Sequence, residues 1–234
     1  KVPKLIPNLP KIVNIAAGGS RSVLLSEEGN VYTFGTKFVE ENEENYYPVQ
    51  IEGFKNIIQI AVGNGHLLAL DNNGNVYGYG TNDYDQIDKS DSKIITYPMR
   101  IENVRNIVYI AAGNIGSYFI DINGKLTTNM KDVSIHDLKT KSVFTEYFYF
   151  NKRGEGEILV LNNDGSLYQI DKEFKDLSMN NIIYIKMFKD GINYIVDTNG
   201  NLYITHKRNY SYDDSDEEYN HINVSLVEDV VIDI

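Results

Sequence analysis

The chain has 234 residues, 42% apolar and 24% charged, enough to bury a sizeable core, and no apolar run approaches the roughly 20 residues of a membrane-spanning helix. A formal net charge of −11 repels a phosphate backbone, which argues against electrostatic wrapping of nucleic acid. Cysteine is absent, so disulfides and thiolate chemistry are excluded.

In chain order the pattern is periodic. Pro3-Lys-Leu-Ile6 reads as a lone outer strand. Lys11-Ile-Val-Asn-Ile-Ala-Ala-Gly18 then predicts a first strand with a small-residue tail, Ser22–Leu25 a second, Glu28-Gly29-Asn30 a turn, Val31–Phe34 a third, and Pro48-Val-Gln-Ile51 a fourth that begins at its proline. The order repeats as Asn56–Gly63, His66–Leu70, Asn73-Gly74-Asn75, Val76–Tyr79 and Pro98–Ile101. A third unit has Asn106–Gly113, Ser117–Ile120 and Asn123-Gly124-Lys125. Two degenerate units follow: Val143–Phe150 and Ile158–Leu161 precede Gly165, and Asn181–Phe188 and Tyr194–Val196 precede Gly200. Val230–Ile234 matches the first strand of another unit.

The turn glycines Gly29, Gly74, Gly124, Gly165 and Gly200 are spaced by 45, 50, 41 and 35 residues. Four short strands at that period predict an all-β fold, a β-propeller of four-stranded blades. Asn-Gly and Asp-Gly supply the positive φ angles of tight hairpins. Tails ending at Gly18, Gly63 and Gly113 suit an innermost strand, where blades crowd together. Proline suits an outer edge strand, where a missing N–H breaks no ladder. A solenoid is the rival architecture, and the in-phase small-residue tail favours the propeller. The chain reads as a single propeller segment over 1–234, with units at about 11–54, 55–104, 105–142, 143–180 and 181–226 and partial blade strands in 1–10 and 227–234, as part of a longer ring.

The second unit, with Ala61-Val62-Gly63, His66, Gly74, Val76-Tyr77, Tyr79-Gly80, Asn82 and Gln86-Ile87, resembles the regulator of chromosome condensation repeat. The first unit matches through Phe34-Gly35, with Arg21 where the family usually has His, and the third through its first two strands. The resemblance is strong over residues 3–126 and weak beyond. It implies a propeller, usually seven-bladed, that works as an adaptor, accessory module, inhibitor or nucleotide-exchange factor. The family's Trp-Gly is here Phe34-Gly35 and Tyr79-Gly80, and with no tryptophan in the chain the light-sensing role of some members is out.

No pattern points to catalysis or to a bound cofactor. His66 sits at a structural position of the repeat, and His136, His206 and His221 show no pairing of a metal site or a nucleophile–base dyad. Gly63-Asn64-Gly65-His66 lacks the Lys-Ser/Thr and the helix of a phosphate loop. Asp213–Glu218 lacks the glycine and spacing of a calcium loop.

Acidic runs recur in one connection type, between the third and fourth strands: Glu40–Glu44, then Asp83, Asp85, Asp88 and Asp91, then Asp213, Asp214, Asp216, Glu217 and Glu218. Such connections emerge on one propeller face, which predicts an acidic face studded with Tyr46, Tyr47, Tyr84, Tyr97, Tyr210, Tyr212 and Tyr219. The bland alternative is a set of solvated loops. The expected function is a non-catalytic scaffold for a protein partner, a basic one if the acidic face is used. Guanine-nucleotide exchange on a small GTPase is an alternative, with Thr127–Lys141 the nearest segment to the family's inserted hairpin. A structural role in a larger assembly, where neighbours pack against blade edges, is another. The compartment is left open.

Overall fold

The computed structural model describes residues 2–39, 44–89, 91–129, 139–145, 158–170, 174–188, 192–206 and 223–227. Their strands form five antiparallel sheets, each a simple meander. The first holds β1 (Ile12–Gly18), β2 (Arg21–Ser26), β3 (Val31–Thr36) and β4 (Glu44–Gln50). The second holds β5 (Ile57–Val62), β6 (His66–Asp71), β7 (Val76–Thr81) and β8 (Ile94–Arg100). The third has three strands among the described residues, β9 (Ile107–Ala112), β10 (Ser117–Asp121) and β11 (Leu126–Thr128). The fourth is β12 (Thr140–Thr145), β13 (Ile158–Asn162), β14 (Leu167–Ile170) and β15 (Phe174–Met179). The fifth is β16 (Ile182–Phe188), β17 (Ile192–Asp197), β18 (Leu202–His206) and β19 (Asn223–Val227). First strands pack on one another in sequence, β1 on β5, β5 on β9, β9 on β12 and β12 on β16. They therefore lie innermost and the fourth strands outermost, which is the blade arrangement of a propeller.

The core lies between blades. Val23 and Leu25 of β2 pack on Leu67 and Ala69 of β6, while Leu68 and Leu70, alternating with them, face the third blade with Ile107, Ile110 and Phe119. Two further layers, around Tyr118, Ile120, Val143 and Val160 and around Leu159, Leu161, Ile185 and Ile195, join the later blades. A strand with a core on both faces cannot alternate apolar with polar, so β6 is buried at every position.

Local chemistry explains the blade turns. In Asp71-Asn-Asn-Gly74-Asn75-Val-Tyr77, Asp71 Oδ1 accepts the backbone N–H groups of Asn73 (2.9 Å) and Asn75 (2.8 Å), and Oδ2 accepts Asn75 Nδ2 (2.8 Å). Asp197 repeats this with Asn199 and Asn201, each at 2.9 Å, and with the Tyr203 hydroxyl at 3.2 Å. Burial pushes both carboxyls up, but these hydrogen bonds outweigh it and hold them below the usual range. The turn glycine does a second job. The carbonyls of Gly29, Gly74, Gly124 and Gly165 accept the N–H of the next blade's first strand, from Ile57 (3.4 Å), Ile107 (3.2 Å), Thr140 (2.8 Å) and Ile182 (3.1 Å). Gly29 has φ +80°, and a Cβ there would stand 2.8 Å from the Ile57 nitrogen. On the inner strands, a Cβ on Gly63 would overlap both the Gly113 carbonyl and the His66 ring, the crowding the small tail anticipates.

Inner strands are also latched side chain to backbone. The Gln59 amide donates to the Ile110 carbonyl and accepts the Ile110 N–H, both at 3.0 Å. Tyr109 donates its hydroxyl to the Val143 carbonyl of the next blade at 3.2 Å.

Three sequence expectations are corrected. Residues 3–6 form no strand, because no described neighbour offers them a ladder. The outer strands begin four residues before their prolines, so Pro48 and Pro98 sit inside β4 and β8. There the register jumps, so that Tyr46-Tyr47-Pro48 oppose Phe34 alone and Thr96-Tyr97-Pro98 oppose Tyr79 alone; the bulge takes up the missing proline N–H. The fourth blade starts at Thr140, three residues before the expected boundary, tied there by the Gly124 carbonyl. Residues 146–150 and 230–234 lie outside the described residues.

Candidate partner-binding surface

The connection from β7 to β8 carries Asp83, Tyr84 and Asp85, and it is built as an ordered loop. Asn82, buried at its base, donates through Nδ2 to the Asp88 carboxylate (2.8 Å), the Asp88 carbonyl (3.2 Å) and the Ser92 carbonyl (2.9 Å). Its Oδ1 accepts the Ile87 and Asp88 N–H groups at 2.9 and 3.2 Å. Gln86, also buried, accepts the Tyr84 N–H at 2.9 Å, and Ile87 plugs the core between the second and third blades. Asp85 is in the left-handed region at φ 59°, a conformation Asp tolerates.

The third blade clamps this loop. Asn129 accepts the Ser117 N–H at 2.6 Å and donates to the Tyr84 and Asp85 carbonyls at 3.3 and 3.1 Å. Ser117 Oγ donates its only proton to the Gln86 carbonyl at 2.7 Å. The 3.1 Å contact between Ser117 Oγ and His66 Nε2 must then have the imidazole as donor, which fixes the Nε2–H tautomer and leaves Nδ1 as a bare lone pair. Burial pushes the His66 pKa down to about 4, against a smaller upward pull from the Gly116 carbonyl. The Ser–His pair is wholly buried and its serine proton is committed, so it joins blades rather than attacking a substrate. Arg21 holds the equivalent place in the first blade, donating to the Asn64 and Lys37 carbonyls (2.7 and 3.2 Å) and lying 5.0 Å over the Phe38 ring.

The result is a rigid display. Asp83 and Tyr84 are exposed and Asp85 half-buried, on a loop whose backbone is fixed from below and from the side. The other tyrosines stand elsewhere. Tyr46, Tyr47 and Tyr97 are exposed on the outer-strand bulges, not on the connections as expected, because those strands start earlier than their prolines. Beside them a groove of about 360 Å³ runs between the first two blades, lined by Phe38, Val49, Tyr79, Tyr97 and Pro98 among others. Tyr210, Tyr212, Asp213, Asp214 and Asp216 lie outside the described residues, as do Glu40–Glu43, Tyr219, His136 and His221. Among the described residues no group of three His, Cys, Asp or Glu is placed to hold a metal, and no helix is long and apolar enough to cross a membrane.

Sequence reasoning passed over Asn129, Ser117 and Gln59, which carry contacts between blades. The Asp-x-x-Gly-Asn-x-Tyr signal of Asp71 and Asp197 was there to be read, whereas nothing local marks Asn129, whose loop partners Tyr84 and Asp85 are 45 and 44 residues away.

Residues 57–86 match the family model of the regulator of chromosome condensation (RCC1) repeat. The fold is similar to that of Prp20p from Saccharomyces cerevisiae, described with its binding to Gsp1p and histones, at TM-score 0.66 and 19% identity over 84% of this chain and 58% of that one. Yeast RCC1 (Prp20) bound to Kap60 gives 0.68 and 18% over 84% and 56%, so the chain spans less than two thirds of either structure. The Cps50 (Swd1) β-propeller domain of Myceliophteria thermophila gives 0.51 and 15% over 97% and 75%. No curated protein matches the chain by sequence. Blades in radial order with latched inner strands make the fold an all-β propeller, and the match to the regulator of chromosome condensation repeat covers residues 57–86, within the second blade.

Proposed function

We propose that the chain is a non-catalytic scaffold that recruits a basic protein partner through its third-to-fourth-strand connections, with Asp83, Tyr84 and Asp85 as the contact group. The observation that carries this reading is the clamp on that loop. Asn82, Gln86 and Asn129 together fix its backbone while leaving Asp83 and Tyr84 exposed and Asp85 half-buried. A pre-ordered loop avoids most of the entropic cost of ordering on binding, and tyrosine adds contact area for few rotatable bonds. Tyr210, Tyr212, Asp213, Asp214 and Asp216, on the same connection type of the fifth blade, would extend the surface. The yeast neighbours are described with protein partners, which agrees with recruitment in general.

Affinity capture with the intact chain from its own source, at low and moderate salt, tests the reading. A basic protein released as salt rises supports it. A small GTPase held more tightly without nucleotide would replace it with nucleotide exchange, and a stoichiometric structural protein insensitive to salt would replace it with an assembly role.

A further inference from the structure

The β7–β8 connection also crosses the joint between the second and third blades. The carbonyls of Tyr84, Asp85 and Gln86, three in succession, all accept from the third blade. The first two accept from Asn129 Nδ2 at 3.3 and 3.1 Å, and the third from Ser117 Oγ at 2.7 Å. Successive carbonyls of an extended chain alternate in direction, so such a row needs a break in the alternation. Asp85, in the left-handed region at φ 59°, supplies it. The inner half of the loop belongs to the same joint. Asn82, Gln86 and Ile87 are buried, and Ile87 joins the core that Leu68 and Leu70 of β6 form with Ile107, Ile110 and Phe119 of the third blade. Ile87 lies so close over Gly78 that a Cβ there would overlap it, whereas the first blade has Thr33 at the matching register.

On the third blade the two donors are themselves joined. Asn129 Oδ1 accepts the Ser117 N–H at 2.6 Å, and Ser117 Oγ accepts from His66 Nε2 of β6 at 3.1 Å. Nearer the axis, Gln59 and the Ile110 backbone latch the same joint with two bonds of 3.0 Å. Lifting the loop would withdraw Ile87 from the joint core and strand three carbonyls, and parting the two blades would break the same contacts. Contacts shared in this way merge two motions into one cooperative event.

We propose that the loop and the joint between the second and third blades open and close as one unit, with Ser117 and Asn129 as positioning residues through which the third blade governs the display of Asp83, Tyr84 and Asp85. The functional meaning of this device rests on the recruitment reading above. A partner that grips the loop then strengthens a joint it does not touch, and loosening the joint weakens the partner's hold by the same factor.

Amide hydrogen exchange on the intact chain tests this without a partner. In wild type the Ile87 amide, bonded to Asn82 Oδ1, and the Ser117 and Ile110 amides should share one dependence of exchange on urea. Asn129→Asp keeps the acceptor for Ser117 but sets a carboxylate against the Tyr84 and Asp85 carbonyls. It should speed exchange by about tenfold or more at Ile87, and equally at Ser117 and Ile110, whose own bonds it leaves in place. The Ile57 amide, at the joint of the first and second blades, should stay within about twofold of wild type. Gln59→Leu, which loosens the joint from its inner end, should speed Ile87 as well as Ile110. Faster exchange confined to the loop in Asn129→Asp, or to Ile110 in Gln59→Leu, would overturn the proposal. So would a general rise that includes Ile57, the sign of a residue that only stabilises the fold. Failure of the recruitment reading shows differently, as partner capture indifferent to D83K/Y84A/D85K while the exchange pattern stands.

Discussion

His66 links burial, blade joining and pH, and its effect on stability can be worked out in sign and size. Its folded pKa is about 4 against 6.5 for an exposed imidazole, so the unfolded chain binds the extra proton. Its contribution to stability is complete above pH 6.5 and is lost as pH falls from 6.5 toward 4. At pH 5 the unfolded imidazole is nearly all protonated and the folded ring nearly all neutral, which removes about 2 kcal/mol relative to pH 8. The ring is fully buried and its shift comes from desolvation against the Gly116 carbonyl, with no ionic contribution, so solvent screening takes little from that figure. Urea unfolding of the intact chain and of His66→Gln at pH 8 and pH 5 is the assay. The glutamine amide can still donate to Ser117, and every other titrating group is common to both chains. The variant is less stable at pH 8, because it repacks beside Gly63, but its loss on going to pH 5 should be smaller than the wild-type loss by about 2 kcal/mol. Equal losses would mean that His66 titrates normally and that its burial does not depress its pKa.

Three other outcomes follow from the contacts between blades. Gly29→Ala should destabilise by more than the roughly 1–2 kcal/mol of a left-handed alanine, since its Cβ also meets the Ile57 backbone; thermal unfolding measures it. Gln59→Leu strips both hydrogen bonds from Ile110 at a cost of about 1–3 kcal/mol, and hydrogen exchange should show the Ile110 amide losing protection first. Asp71→Ala orphans the turn N–H groups of Asn73 and Asn75, and because the native carboxyl titrates below its usual range, the stability it supplies is present at neutral pH and lost in acid. The variant should therefore unfold with a weaker acid dependence than wild type.

The fold was readable because each blade writes its own signals locally. Asn-Gly turns, small-residue tails ending in Gly63 and Gly113, and apolar runs all act within one hairpin. The outer strands were misjudged because Pro48 and Pro98 look like strand starts, whereas a three-residue bulge lets the ladder resume on their far side. The surface was only half legible. The acids and Tyr84 could be placed on a connection, but the clamp that orders them comes from Asn129 and Ser117 on another blade, which no local pattern marks. Tyr46, Tyr47 and Tyr97 moved from connection to strand edge for the same reason that the prolines did.

The most direct measurement is capture of the chain's partner by wild type and by the D83K/Y84A/D85K variant, compared side by side at one low salt concentration. Asp83 and Tyr84 are exposed and Asp85 is half-buried at a positive φ, so circular dichroism must first show that the variant keeps its native strands. The proposal predicts that the partner is retained by wild type and lost by the variant. Equal recovery by both would contradict recruitment through the acidic connection.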